Sequence, residues 1–259
     1  MAKRLKTKNR LSKTARKITP ILGINVDSTD RERALNQVRA WIKEGKPRML
    51  RLVVTPNPEI VVRAQGDPEL ARILNSADLS VPDGIGLRVM GGVREIIPGR
   101  LLAEDLVSGT GKEKLKVFLL GGKAGVAKKA AGVLNAGFHP GPWLDERGEP
   151  IDAKQQKVEE EAVQAINDFK PDLLLVGFGP PKQEKWLDRN LSKLNVKVGM
   201  VVGGAFDYWA GIVPKPPKAI SDAGLEWLWR LITQPWRLPR IFTAVVVFPL
   251  KVFLYRMRQ

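Results

Sequence analysis

The chain has 259 residues, 44% of them hydrophobic, with no cysteine and a single histidine. That is enough for a full core with or without an appendage, and it excludes disulfides, thiol nucleophiles and cysteine-based metal sites while remaining compatible with the cytosol. The net charge of +16 sits at the ends: residues 1–19 and 230–259 carry 14 of the 43 Lys and Arg residues and no acid, leaving 29 bases against 27 acids between them. Cationic ends on a nearly neutral body suit phosphate-bearing partners, either nucleic acid or anionic lipid.

Residues 1–19 are polar and basic, have no periodicity and lack the apolar core of a signal peptide, so they read as a flexible arm. A strand is expected over 21–26. Thr29 and Glu32 have capping-box spacing ahead of an amphipathic helix carrying Ala34, Leu35, Val38 and Ile42. The strand over 49–54 ends in Thr55-Pro56-Asn57-Pro58-Glu59, where Pro58 suits the first turn of a helix. Asp67-Pro68 opens another. Ser80-Val81-Pro82-Asp83-Gly84-Ile85-Gly86 repeats the pattern of a short apolar run that stops abruptly in turn formers. Ligands gather at such strand ends in open α/β sheets. Pro82 pins the backbone before Asp83 and Gly84 frees it afterwards, which makes Asp83 the candidate reacting carboxylate. The competing reading is an Asx-turn or a helix cap.

A helix is expected to start near Pro98-Gly99-Arg100, followed by a strand over 115–120 that ends in Gly121-Gly122-Lys123. After a helix through Val126 and Leu134, residues 137–151 read as loop. They hold the only histidine, His139, as a solvated side chain without the partners a triad or metal cluster needs. A helix over 155–169 precedes a strand over 172–176, which ends in Gly177-Phe178-Gly179-Pro180-Pro181-Lys182-Gln183-Glu184. The next helix runs through Trp186 and Leu194, and a strand over 196–202 ends in Gly203-Gly204-Ala205-Phe206-Asp207. This alternation predicts a Rossmann-like, mostly parallel α/β sheet with helices on both faces, spanning residues 20–216. Three strands end in Gly-Gly or Gly-x-Gly, where backbone N–H groups can approach a phosphate. None is a complete dinucleotide or P-loop fingerprint.

Residues 217–259 differ in character and read as a helical, membrane-associating appendage. An aromatic-rich helix over 225–232 is broken by Pro235 and Pro239, and an uncharged apolar run over 241–250 follows. A membrane span needs about 20 apolar residues, and Pro249 and Lys251 interrupt this run. It is therefore expected to lie in the interface, with Phe242, Val245, Val246, Phe248, Val252 and Phe253 in the acyl boundary and cations on headgroups. The alternative is a helix packed on the core or sealing a homo-oligomer.

Five collinear segments carry a family resemblance. They are Thr55-Pro56-Asn57-Pro58-Glu59, Pro82-Asp83-Gly84-Ile85-Gly86, residues 177–186, Gly203-Gly204-Ala205-Phe206-Asp207, and Gly224-Leu225-Glu226-Trp227-Leu228-Trp229-Arg230. Together, over about residues 20–240, the chain resembles the bacterial glycosyltransferases that add N-acetylmannosamine, or a relative of it, to lipid-linked N-acetylglucosamine for teichoic acid and other surface polysaccharides. The resemblance implies a UDP-sugar donor, an undecaprenyl-diphosphate-linked acceptor, inversion, and no metal or cofactor. It places the protein in the cytoplasm, peripheral on the inner face of the cell membrane. It also implies Asp83 as general base, Thr55 and Asn57 near the sugar, Gln183 in the site and Asp207 on the nucleotide, with Arg230, Arg237 and Arg240 closing over the diphosphate. Gly84, Gly121, Gly122, Gly179, Gly203 and Gly204 complete the candidate substrate-binding set. Relatives tend to show Arg-Ala-Pro where this chain has Val213-Pro214-Lys215-Pro216-Pro217. Lys215 or Lys218 would have to replace that arginine, and neither offers a bidentate fork.

The chemistry is consistent with this. Transfer to a hydroxyl needs a base, and a carboxylate is one of few candidates without His or Cys. The departing diphosphate needs arginines, backbone N–H groups or helix N-termini, and one carboxylate suits a single inverting displacement. A non-catalytic nucleic-acid-binding protein is the alternative from another class, but its C-terminal cations alternate with aliphatic residues more than with stacking aromatics, so no specific nucleic-acid partner is expected. A dinucleotide-dependent oxidoreductase would need the missing glycine fingerprint.

Overall fold

A computed structural model describes residues 16–45, 49–108, 115–123, 125–223 and 225–258. The first two strands, β1 (Ile18–Ile21) and β2 (Ile24–Asp27), form an antiparallel hairpin apart from the main sheet. One strand was expected over 21–26. Instead the chain reverses at Leu22 and Gly23, both at positive φ (48° and 78°), as a two-residue hairpin turn demands. Arg16 clasps Asp27 from the hairpin's entry and also donates to the Ala77 carbonyl at 2.8 Å. Asp27 in turn accepts from the Ser80 N–H at 2.7 Å. Part of the expected basic arm therefore belongs to the folded body, while residues 1–15 lie outside the described residues.

Six strands form one parallel sheet in the order β4-β3-β8-β7-β5-β6. They are β3 (Arg51–Val54), β4 (Leu79–Ser80), β5 (Val117–Gly121), β6 (Gly137–His139), β7 (Leu173–Gly177) and β8 (Val198–Val201). Their side chains alternate between two cores. Leu52, Val54, Phe118, Leu120, Leu174 and Val176 face one, whereas Val53, Leu119, Leu175 and Met200 face the other. Burial on both faces is why these strands read as continuous apolar runs. On one side pack α2 (Pro58–Ala64), α3 (Pro68–Ser76), α7 (Ala153–Phe169) and α8 (Lys182–Asn190). The other side is covered by α1 (Arg31–Lys43), α5 (Gly99–Val107), α6 (Val126–Leu134) and α9 (Ala205–Trp209). The short α4 (Ile85–Val89) follows β4.

Local signals account for most boundaries. Helix α1 is capped by Asp30, whose side chain accepts from the Arg33 N–H at 2.7 Å, not by the expected Thr29. A charged acceptor at the N-terminus also meets the helix dipole. The stretch read as loop over 137–151 begins with edge strand β6, which has His139 in register with Leu120. His139 is half-buried rather than solvated: its Nδ1 accepts from the Gly141 N–H at 3.0 Å, and burial lowers its pKa.

The appendage contains α10 (Lys218–Asp222) and α11 (Glu226–Thr233). A continuous 23-residue helical run, Pro235–Met257, then follows, long and apolar enough to cross a membrane by length and composition. It comprises a 3-10 turn, α12 (Leu238–Phe242), a π turn (Thr243–Val247) and α13 (Phe248–Met257). The expected interruption at Pro249 does not occur: the run continues through Pro249, whose missing N–H falls where the π turn Thr243–Val247 passes into α13 and the regular hydrogen-bond ladder is already broken. Phe248 and Val252, expected in lipid, are 0% and 4% exposed and join the core beside α2. Phe242, Val245, Val246, Leu250 and Phe253 point outward and are exposed.

Candidate active site

All six parallel strands end at the same edge of the sheet. From β5 the chain turns toward β6 at one side, and from β7 it turns toward β8 on the other. That reversal is where open α/β sheets hold ligands, and a cleft of about 720 Å³ opens there. Thr55, Asn57, Asp83, Gly122, Gly179, Gln183, Gly203, Gly204, Asp207, Arg230, Arg237 and Arg240 all line it. Two residues of the expected binding set do not. Gly84 packs against Pro58, which lies 3.2 Å from where a Cβ would be, and Gly121 spaces β5 from β7, where a Cβ would meet Gly177 and Phe178 at 3.0 Å.

Asp83 is held by its backbone, its N–H donating to the Pro56 carbonyl at 2.9 Å. It does not cap α4, which begins after Gly84 without a side-chain cap. One carboxylate oxygen accepts a long 3.4 Å contact from the Gly99 N–H. Withdrawal from water pushes its pKa up from the ordinary 3.8 to about 6; Arg230, the Gly99 N–H and Arg100 pull it down, and Glu226 pushes it further up. A carboxylate poised in this range can accept a proton near neutral pH.

The neighbouring polar groups are partly committed. Thr55 Oγ1 donates to the Val201 carbonyl at 3.4 Å. Asn57 Oδ1 caps α2, accepting from the Ile60 N–H at 2.9 Å, so only its Nδ2 hydrogens remain for a ligand. Gln183 Oε1 accepts from the N–H groups of Gly179 and Gly203, each at 3.1 Å. These two amides, expected to face a phosphate, are therefore turned into the protein.

Cationic groups crowd the opposite wall. The guanidinium carbons of Arg100 and Arg230 lie 5.0 and 5.3 Å from the Tyr208 ring centre. Arg240 Nε reaches both Glu59 oxygens, at 2.8 and 2.9 Å. Arg237 lies beside Gly204, across from Asp207; a Cβ on that glycine would sit 3.3 Å from Arg237 Nη2 and 3.4 Å from Asp207 Oδ2. Burial, then Arg230 and Arg240, depress the Arg237 pKa to about 10. A guanidinium destabilised by other guanidinia is a receptor for a polyanion. Pro235 ends the helix between Arg230 and Arg237, yet both reach the cleft from successive helical pieces.

Sequence reasoning missed Arg100 and Glu226. Arg100 is 7% exposed and pairs with Glu104 at 3.0 Å and Glu226 at 3.1 Å, which joins the appendage to α5. Its place after Pro98-Gly99, at the helix start facing Asp83, is the signal that could have found it. Lys215 does not take over a missing arginine: it pairs with Glu104 at 3.3 Å and does not line the cleft. The Lys218 side chain lies outside the described residues. Among the described residues, no three His, Asp or Glu side chains cluster to hold a metal ion.

The sequence profile of the Glycosyl transferase WecG/TagA/CpsF family matches residues 19–259. The chain belongs to this family. It is similar to the N-acetylglucosaminyldiphosphoundecaprenol N-acetyl-beta-D-mannosaminyltransferase of Staphylococcus aureus strain MRSA252, 29% identical over 237 residues, which cover 90% of this chain and 91% of the relative. The proteins of the same name from strains NCTC 8325 / PS 47 and COL are 28% identical over the same spans. As a WecG/TagA/CpsF-family glycosyltransferase, the protein is a transferase enzyme. That sets aside both the non-catalytic nucleic-acid binder and the oxidoreductase.

Proposed function

We propose that this enzyme moves N-acetylmannosamine, or a closely related sugar, from a UDP-sugar to polyprenyl-diphosphate-linked N-acetylglucosamine, inverting the anomeric centre without a metal or cofactor. The observation that carries the reading is one cleft in which Asp83, the carboxylate among its described lining residues that is poised near neutrality, faces a crowd of arginines. In this mechanism Asp83 takes the acceptor hydroxyl proton as the new C–O bond forms and the bond to the UDP β-phosphate breaks. Arg237 and Arg230 receive the charge that develops on the departing diphosphate. The free Nδ2 of Asn57 and the Thr55 hydroxyl orient the sugar, and Asp207 accepts from the nucleoside.

The same reading seats the enzyme peripherally on the inner membrane face. Outward-facing Phe242, Val245, Val246, Leu250 and Phe253 supply an apolar surface, with Lys251 and Arg258 available to headgroups. Spanning is disfavoured because the same run delivers Arg237 and Arg240 to the cleft and buries Phe248 in the core. Residues 20–216 then form the catalytic body, and residues 217–259 complete the site and meet lipid.

The test is a radiolabelled transfer assay with a short-chain lipid-diphosphate N-acetylglucosamine acceptor and UDP-N-acetylmannosamine in EDTA. Product that disappears in Asp83→Asn, while UDP binding survives, supports the reading. Near-normal turnover by that variant would remove Asp83 as the base. A strict requirement for added divalent ion would refute the metal-free mechanism.

A further inference from the structure

We infer that Glu184 is a positioning residue: its buried carboxylate fixes the Gln183 amide so that one oxygen clamps together the two glycine loops that floor the cleft. The inference rests on the nucleotide-sugar reading above for its purpose, but its geometry stands apart from that reading.

Gln183 lies in the first turn of α8 and is 2% exposed; Glu184 follows at 1%. Gln183 Oε1 receives the N–H of Gly179, from the loop after β7, and that of Gly203, from the loop after β8, each at 3.1 Å. Those strands are neighbours in the sheet, with Val176 and Val201 in register. A single acceptor thus sets the spacing of two loops just beyond the strand ends, where a diphosphate must fit. Gln183 Nε2 donates to Glu184 Oε1 at 3.0 Å. An amide has two orientations, and this contact selects one. In the flipped orientation the NH₂ group would face two donors and the amide oxygen a carboxylate, making all three contacts repulsive.

Glu184 Oε2 is buried without a hydrogen-bond partner among the described residues. The nearby charges facing the carboxylate are Arg63 and Glu59 from α2. A buried carboxylate this poorly satisfied is expensive for the fold, and the cost is out of proportion to one hydrogen bond unless that bond positions something. Replacing it with an apolar side chain strands Gln183 Nε2 in the interior. The NH₂ group then finds an acceptor only by swinging toward water in the cleft, which releases the glycines.

The test uses three variants of the full chain, read by amide hydrogen exchange at Gly179 and Gly203, thermal unfolding, and calorimetric titration with UDP. Glu184→Leu is expected to lower protection of both amides by about tenfold or more and to weaken UDP binding about tenfold, with a melting temperature equal to or above wild type. Gln183→Glu alone places two carboxylates together and does the same. The double variant Gln183→Glu/Glu184→Gln restores the pattern with the bridging hydrogen bond reversed, and recovers most of both losses. Unchanged protection in Glu184→Leu overturns the clamp. So does loss that tracks a fallen melting temperature, or a double variant no better than the singles. Lost protection with undiminished UDP affinity overturns its service to the site. A wild-type protein that binds no UDP would count against the nucleotide-sugar reading, and the exchange data would still decide the clamp.

Discussion

Asp83→Asn should make the protein more stable as well as inactive. The wild-type carboxyl titrates at about 6 in the folded protein against an ordinary 3.8. A raised folded pKa means that the folded state holds its proton more tightly than the unfolded chain. Its favourable contribution is fully present below about pH 4 and is lost as pH rises through about 6. At pH 7 the ionised side chain therefore costs the fold up to about 3 kcal/mol, and near pH 4 only about 0.5 kcal/mol. Part of Asp83 faces the open cleft, so the full value is an upper bound. Asparagine removes the charge at nearly the same volume and keeps an acceptor for the Gly99 N–H. The difference in unfolding free energy between variant and wild type, from urea titrations at pH 7 and pH 4.5, should be on the order of 1–3 kcal/mol at the higher pH and should shrink at the lower. In melting temperature the gain at pH 7 is on the order of 5 °C. A variant equally stable at both pH values, or less stable at pH 7, would show that Asp83 is well solvated and would remove the physical basis for its poise.

Transfer should follow the same group: kcat/KM rises about tenfold between pH 5 and pH 7 as Asp83 ionises, and Glu226→Gln shifts that rise to lower pH because Glu226 pushes the Asp83 pKa up. A pH profile unmoved by Glu226→Gln would contradict the assigned coupling. Arg237→Met should lower the transfer rate about 100-fold or more while easing the repulsion among the arginines, so the fold should not lose stability; circular dichroism melts and initial rates check both. Phe242→Glu/Phe253→Glu should abolish sedimentation with anionic vesicles and leave the melting temperature within a few degrees, since both residues are exposed. Phe248→Ala should instead destabilise by about 3–5 kcal/mol, because it is fully buried.

The sheet was largely legible because its strands are buried on both faces, and runs such as Leu173 to Val176 cannot be mistaken for amphipathic elements. Asp83 was legible for a local reason, a carboxylate between Pro82 and Gly84 at a strand end. The features that escaped depend on packing or on weak turn chemistry. Leu22 carries no turn signal, yet it adopts positive φ and remains buried. β6 has only three residues and no apolar run. Arg100 becomes a cleft residue only because α5 packs beside Thr55, an approach of distant segments that no spacing rule reports. Gln183 shows the reverse case: its position in the cleft was foreseen, but the commitment of its amide to backbone N–H groups was not, because hydrogen-bond partners 20 residues apart leave no sequence pattern. Pro249 misled because a helix can run through a proline where its ladder is already irregular, as beside the π turn Thr243–Val247, and sequence does not show that irregularity.

The run Pro235–Met257 has a metric consequence. Arg237 and Phe253 lie 16 residues apart on it, at most about 24 Å at 1.5 Å per residue. The run is pinned to the rest of the body by Phe248 on its inner face and by the Arg256 contact to the Met90 carbonyl at 2.7 Å. The appendage is thus a ruler as well as a wall. Whatever surface receives Phe253 stands at a set height from the guanidinium of Arg237, and a substrate bound to that surface meets the cleft only if its charged group projects to that height.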